Sequence, residues 1–161
     1  MKYKCLYNSL LYINRNNAET KRYQEEGLKL LSRKVDSLPS KIAFRPKFIK
    51  QSSCIKVFDK LYLFISKANI KKPLEERFDA LFHEIGHWLH FQNIPPLKEC
   101  REIWKTANLE KIKEDVSEYA VKKDDGREFV AEVFKGLIKG KKYDEYIMNL
   151  YKRLHGPVPH D

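Results

Sequence analysis

His83, Glu84 and His87 are the residues of this 161-residue chain best placed to do chemistry together. They fall in the run Phe78-Asp79-Ala80-Leu81-Phe82-His83-Glu84-Ile85-Gly86-His87-Trp88-Leu89-His90, where apolar residues recur at helical spacing. On a helix, residues four apart lie one turn above each other, so His83 and His87 project from one face. Two imidazoles so placed can reach one zinc ion, and Glu84 beside them can take the proton of a zinc-bound water. Phe78, Leu81, Phe82, Ile85 and Leu89 form a separate stripe, with Ile85 about 200° around the helix from His87. The helix thus has a metal face and a core face.

A catalytic zinc needs a third protein ligand and an open position. Downstream candidates are His90, Glu118, Glu128, Glu132 and His155. His90 is on the same side as His87, but three residues in line on one helix diverge from a tetrahedral centre. It is expected to be a supporting or solvent-facing residue. His155 and His160 lie near a Pro-rich end expected to be mobile. Glu128 and Glu132 are four apart, so one can ligate while the other orients an imidazole by hydrogen bonding. A carboxylate third ligand gives the His₂Glu set of thermolysin-like peptidases. A second reading competes for Glu128: Asp125-Gly126-Arg127-Glu128 fits a helix capping box, with Asp125 as N-cap and Glu128 reaching back to its backbone N–H. The ligand reading is preferred because the metal otherwise lacks a third partner. It requires the Glu128 carboxylate to lie roughly 2.0–2.2 Å from a zinc held where His83 and His87 converge.

These side chains need a scaffold. Residues 1–16 are apolar and aromatic with polar interruptions and fit either a short helix or a strand-like lead-in. Ala18 to Val35 reads as an amphipathic helix, weakened at Gly27 and stopped before Pro39. Ile42-Ala43-Phe44, Phe48-Ile49, Ile55 to Phe58 and Leu61 to Ile65 are β-branched or aromatic runs. They predict a small, mainly antiparallel sheet over 41–66, with a hairpin turn at Asp59-Lys60. Pro73 opens a helix running to about Phe91, which Pro95-Pro96 ends. Further helices are expected over 98–107, 109–121, 127–138 and 143–154, with a charged loop from Lys122 to Gly126. No repeat or linker interrupts the chain. The expected fold is one α+β domain over 1–161: a helical part (1–40), the sheet, the metal-binding helix (73–92) and a helical part carrying the third ligand (98–155).

The formal net charge is +10 with 42% hydrophobic residues, which argues for a folded globule and against a disordered chain. Such charge favours nucleic acid, an anionic surface or acidic substrate segments, or else a lysine-rich solvated surface serving solubility. Cys5, Cys54 and Cys100 form no Cys-x-x-Cys pair, so a zinc ribbon and a thioredoxin-like site are excluded. Free thiols in a reducing compartment are expected. With no signal peptide and no apolar run of about 18 residues, no membrane span and a cytoplasmic location are expected.

His83-Glu84-Ile85-Gly86-His87, followed by Tyr119, a short polar loop and Glu128-Phe129-Val130-Ala131-Glu132-Val133-Phe134, resembles the catalytic domain of anthrax lethal factor. It is similar also to the related zincin domains of bacterial toxins and phage head-morphogenesis proteins. The resemblance spans roughly residues 55–140. It implies zinc ligands His83, His87 and Glu128, general base Glu84, Tyr119 as oxyanion helper and Glu132 as outer partner of a ligand. A core aromatic is the other reading of Tyr119. The implied activity is zinc-dependent hydrolysis of a peptide or protein substrate, in a phage- or toxin-associated setting; a monomer is expected. The strand Leu61 to Ile65 is implied to hold an extended substrate by edge pairing. Two readings compete. One is a peptidase of the kind that cleaves phage repressors, against which the Glu128-to-Glu132 context argues. The other is a basic nucleic-acid-binding or assembly protein with a structural or vestigial zinc.

Overall fold

Asn17 starts the first helix of the described residues. Its side chain accepts from the Thr20 amide at 2.9 Å, satisfying one of the donors a helix N-terminus leaves open. Helix α1 (Ala18–Leu31) buries Thr20, Tyr23, Gly27 and Leu31 along one face. Gly27 strengthens the packing where a weak point was expected. A Cβ there would stand 2.3 Å from Leu81 Cδ2, so the missing side chain lets the helix lie against the core. The computed structural model describes residues 17–161; the lead-in over 1–16, with Cys5, lies outside the described residues.

The sheet holds β1 (Ala43–Arg45), β2 (Ser53–Val57) and β3 (Lys60–Ser66) in the order β1-β3-β2. Strand β2 runs antiparallel to β3, as a hairpin must, while β1 runs parallel to it, so the sheet is mixed. Leu61 to Ile65 therefore lies in the central strand, paired with β2 as far as Phe64 and with β1 from Phe64 on, so β1 takes up part of the edge expected there. The hairpin turn is Phe58-Asp59, one residue earlier than expected, closed by the pair Val57–Lys60. Phe58 takes a φ of 52°, a region that favours glycine. Phe48-Ile49 makes no strand: Ile49 N bonds back to Pro46 O at 3.0 Å, a turn that leaves Phe48 73% exposed.

A 3₁₀ turn (Lys67–Lys71) leads to α2 (Leu74–Arg77) and α3 (Asp79–His90). The single helix expected over 73–91 is broken at Phe78, with φ −100° and ψ 3°. There the ring is buried and packs 4.9 Å from that of Tyr23. Beyond lie α4 (Leu97–Lys105), α5 (Leu109–Asp115), α6 (Glu118–Lys123), α7 (Gly126–Ile138) and α8 (Glu145–Arg153). The helix expected over 109–121 is two, because Ser117 is extended and caps α6 by accepting from Ala120 N. The charged loop before Gly126 shrinks to Asp124, left-handed with φ 47°, and Asp125, the N-cap of α7.

Helices α3 and α7 form the centre. Leu81 and Ile85 meet Phe129, Val130, Val133 and Phe134 in one continuous buried cluster. Gly86 permits the approach: a Cβ there would lie 3.1 Å from Ala131 Cα, which is backbone and cannot swing aside. The fold is α+β, as the sequence predicts. Among the described residues, no helix is long and apolar enough to cross a membrane.

The C-terminal end is pinned where mobility was expected. Tyr151 Oη donates to Pro157 O, and His160 donates its backbone N–H to Lys34 O at 2.7 Å and pairs with Asp36 at 2.9 Å.

Candidate metal centre

The close approach of α3 to α7 brings Glu128 onto the two histidines. Glu128 Oε2 lies 3.2 Å from His83 Nε2 and 3.3 Å from His87 Nε2. The ligand atoms of His83, His87 and Glu128 all lie within 4.8 Å of one another, a group that could hold a metal ion. With metal–ligand bonds of 2.0–2.1 Å, the edge of a tetrahedron is about 3.3–3.4 Å. Both carboxylate–imidazole separations match that edge, so Glu128 stands where the third donor to a small tetrahedral cation would. Two imidazoles and a carboxylate suit zinc and leave a fourth position open.

The competing capping reading divides. Asp125 does cap α7, accepting from Arg127 N at 2.9 Å. Glu128 is not its reciprocal partner, because its carboxylate faces the histidines.

Glu132, one turn along α7, contacts His83 Nδ1 at 2.7 Å, and Lys135 Nζ donates to both its oxygens at 2.9 Å. A carboxylate on Nδ1 directs Nε2 toward the metal position and makes it a stronger donor. Lys135 was not singled out from the sequence, although its spacing of three from Glu132 on one helix is the signal that finds it. The second histidine is held differently. His87 Nδ1 is buried with no hydrogen-bond partner among the described residues, and its ring stacks on Phe91, 5.9 Å between centroids.

Glu84 is 7% exposed. Burial, opposed by the neighbouring histidines, raises its pKa above the ordinary carboxylate value. The Cys54 backbone N–H beside it opposes part of that rise, an influence that no side-chain pattern announces. Burial alone would lower the His83 pKa. The hydrogen bonds to Glu128 and Glu132 outweigh it and hold the group up at about 9. The same contacts overcome burial to depress Glu128 and Glu132 well below the usual carboxylate range.

Tyr119 sits at the first turn of α6, its ring 5.8 Å from that of His83 and edge-on to it. It is 44% exposed, so it is a rim residue and not a core aromatic. His90 neither supports the metal nor faces solvent. It is buried, and its Nε2 donates to Leu154 O at 2.7 Å, tying the end of α3 to that of α8. His155 contacts Asn93 O through Nδ1 at 3.1 Å, and Glu118 lies on the exposed side of α6. Neither joins the metal group.

The site opens into a cleft of about 230 Å³ lined by His83, Glu84, His87, Tyr119 and Glu128. Its far wall is Gln51 to Cys54, held from behind. Arg45 donates to Gln51 O at 3.0 Å and to Ser53 Oγ at 2.7 Å, while Ser52 Oγ accepts from Ser66 N at 3.0 Å. This polar wall was missed from the sequence because no spacing ties Gln51 to Cys54, at the start of β2, to the His83–His87 helix. Compared with family models, with curated proteins and with solved structures, the chain finds no match.

Proposed function

We propose that this chain is a zinc-dependent metallopeptidase of the lethal-factor-like zincin kind. The observation that carries the reading is the placement of Glu128 Oε2 at 3.2 and 3.3 Å from both Nε2 atoms, with Glu84 and Tyr119 lining the same cleft.

His83, His87 and Glu128 would hold the zinc. When bound, the ion lowers the pKa of water toward neutral and polarises the scissile carbonyl. Glu84 acts as general base, taking the proton as the carbonyl is attacked and passing it to the departing amine. Its raised pKa suits a group that must both accept and return a proton near neutrality. The Tyr119 hydroxyl, on the rim, donates to the developing oxyanion. Glu132, anchored by Lys135, keeps the His83 ring in place throughout.

The substrate lies along the outer edge of β2, the strand whose start lines the cleft. A two-residue turn closed by Val57–Lys60 makes that pair hydrogen-bonded. The alternation then turns the backbone groups of Lys56 and Cys54 outward. The Cys54 N–H faces Glu84, and among the described residues the Cys54 carbonyl and both Lys56 groups have no partner, which suits an extended peptide. Incubation of the zinc-loaded chain with a mixed peptide library should give discrete internal cleavages that a chelator abolishes and added zinc restores. Cleavage that survives full metal removal would overturn the reading.

A further inference from the structure

A second cavity of about 220 Å³ lies beside the metal cleft, with Cys100 and Trp104 in its floor and Arg101 at its edge. Asp125 and Arg127 line both cavities, so this pair forms the wall between them. Arg127 immediately precedes Glu128 and lines the metal cleft with it, so its side chain borders the space a substrate would occupy.

The geometry of the pair is one-sided. Arg127 Nε donates to Asp125 Oδ1 at 3.1 Å and Oδ2 at 3.0 Å, and Nη2 donates to Oδ2 at 2.6 Å. Asp125 thus takes one edge of the guanidinium. The other fork, Nη1 with the second N–H of Nη2, has no partner among the described residues, and the side chain is 41% exposed. Arginine presents its donors in a rigid plane, and a free fork of this kind matches the two oxygens of a carboxylate. The two aspartates that would repel such a group are already engaged, Asp125 by Arg127 and Asp124 by Trp104 Nε1 at 2.9 Å. Arg101 on the cavity edge adds positive charge, and Lys123 Nζ lies 5.6 Å over the Tyr119 ring.

We propose that Arg127, locked in orientation by Asp125, is a specificity-determining residue that grips a carboxylate on the substrate through its free Nη1/Nη2 fork. The carboxylate belongs either to an acidic side chain or to a peptide C-terminus. The inference deepens the peptidase reading and rests on it for the position of the substrate.

The test measures binding, so that it does not depend on turnover. Zinc-loaded Glu84→Gln protein is titrated with three fluorescent peptides of one apolar sequence. One is amidated and neutral, one has a free C-terminus, and one is amidated with a single internal Glu. At least one carboxylate peptide should bind about tenfold tighter than the neutral one, the scale of one charge-assisted paired contact. Which peptide it is identifies the source of the carboxylate. In an Arg127→Gln, Glu84→Gln double variant, the ratio of the two affinities should fall toward one, and Arg127→Lys should restore part of it. A ratio corrects for partial loss of folded protein. Equal binding of all three peptides, or a preference that persists undiminished without Arg127, overturns the proposal. Absence of cleavage by the wild-type chain, with the binding ratio intact, would count against the peptidase reading alone.

Discussion

At the scale of the residue, His83 is where proton and metal compete. In the metal-free chain its pKa is raised to about 9, so the stabilisation it contributes is complete below its ordinary value of 6.5 and is lost as pH rises through about 9. Glu128 and Glu132 are depressed, so theirs is complete above 4.5 and is lost as pH falls below it. The metal-free site is best satisfied between those ordinary values. Zinc needs a neutral imidazole, so binding at pH 7 should expel about one proton from His83. Calorimetry of zinc binding in two buffers of different ionisation enthalpy measures that number. A value near zero would mean that His83 is not a ligand. The histidines and the two glutamates were legible in the sequence because i, i+4 spacing on one helix is a geometric statement. The Glu128 carboxylate had two possible uses, and only the packing of α7 on α3 shows that it faces the histidines. The role of His90 could not be read, because its partner is a backbone carbonyl 64 residues away.

At the scale of the element, the site is an interface property. The residues that could hold a metal come from two helices whose close approach is permitted by Gly86 against Ala131 and Phe134. Gly86→Val should force α3 and α7 apart, cost about 1–3 kcal/mol of stability by overpacking, and weaken zinc binding. Thermal unfolding paired with a zinc titration checks both effects. A variant that is destabilised but binds zinc as tightly as the wild type would show that the spacing is not what holds the ligands together. Helices were legible by period, but their breaks at Phe78 and Ser117 were not. Those breaks depend on a ring finding a pocket and on a serine turning back to cap, which no periodicity records. The parallel β1–β3 pairing was equally hidden. Hairpins are local, whereas β1 reaches β3 across the intervening β2, and only the assembled sheet shows it.

At the scale of the whole molecule, the core is continuous without the metal centre, so the chain should fold without zinc. Saturating zinc should then raise Tm. At a free concentration about 100 times Kd the gain is about 2.7 kcal/mol, or roughly 5–10 °C for a domain of this size. Circular dichroism with and without chelator measures it. A chain that loses its helices on metal removal would have a structural zinc, closer to the assembly-protein reading. The charge of +10 is a whole-molecule property too, and named no partner by itself. It gains a local meaning only where Arg127 holds an unspent fork beside the cleft. The central claim is narrower than any of these: His83, His87 and Glu128 hold a zinc on which Glu84 acts. It is tested by metal analysis and peptide hydrolysis of the wild type beside Glu84→Gln. The account predicts one zinc per chain in both proteins and hydrolysis in the wild type alone; hydrolysis that persists in Glu84→Gln, or a wild type that binds no zinc, would contradict it.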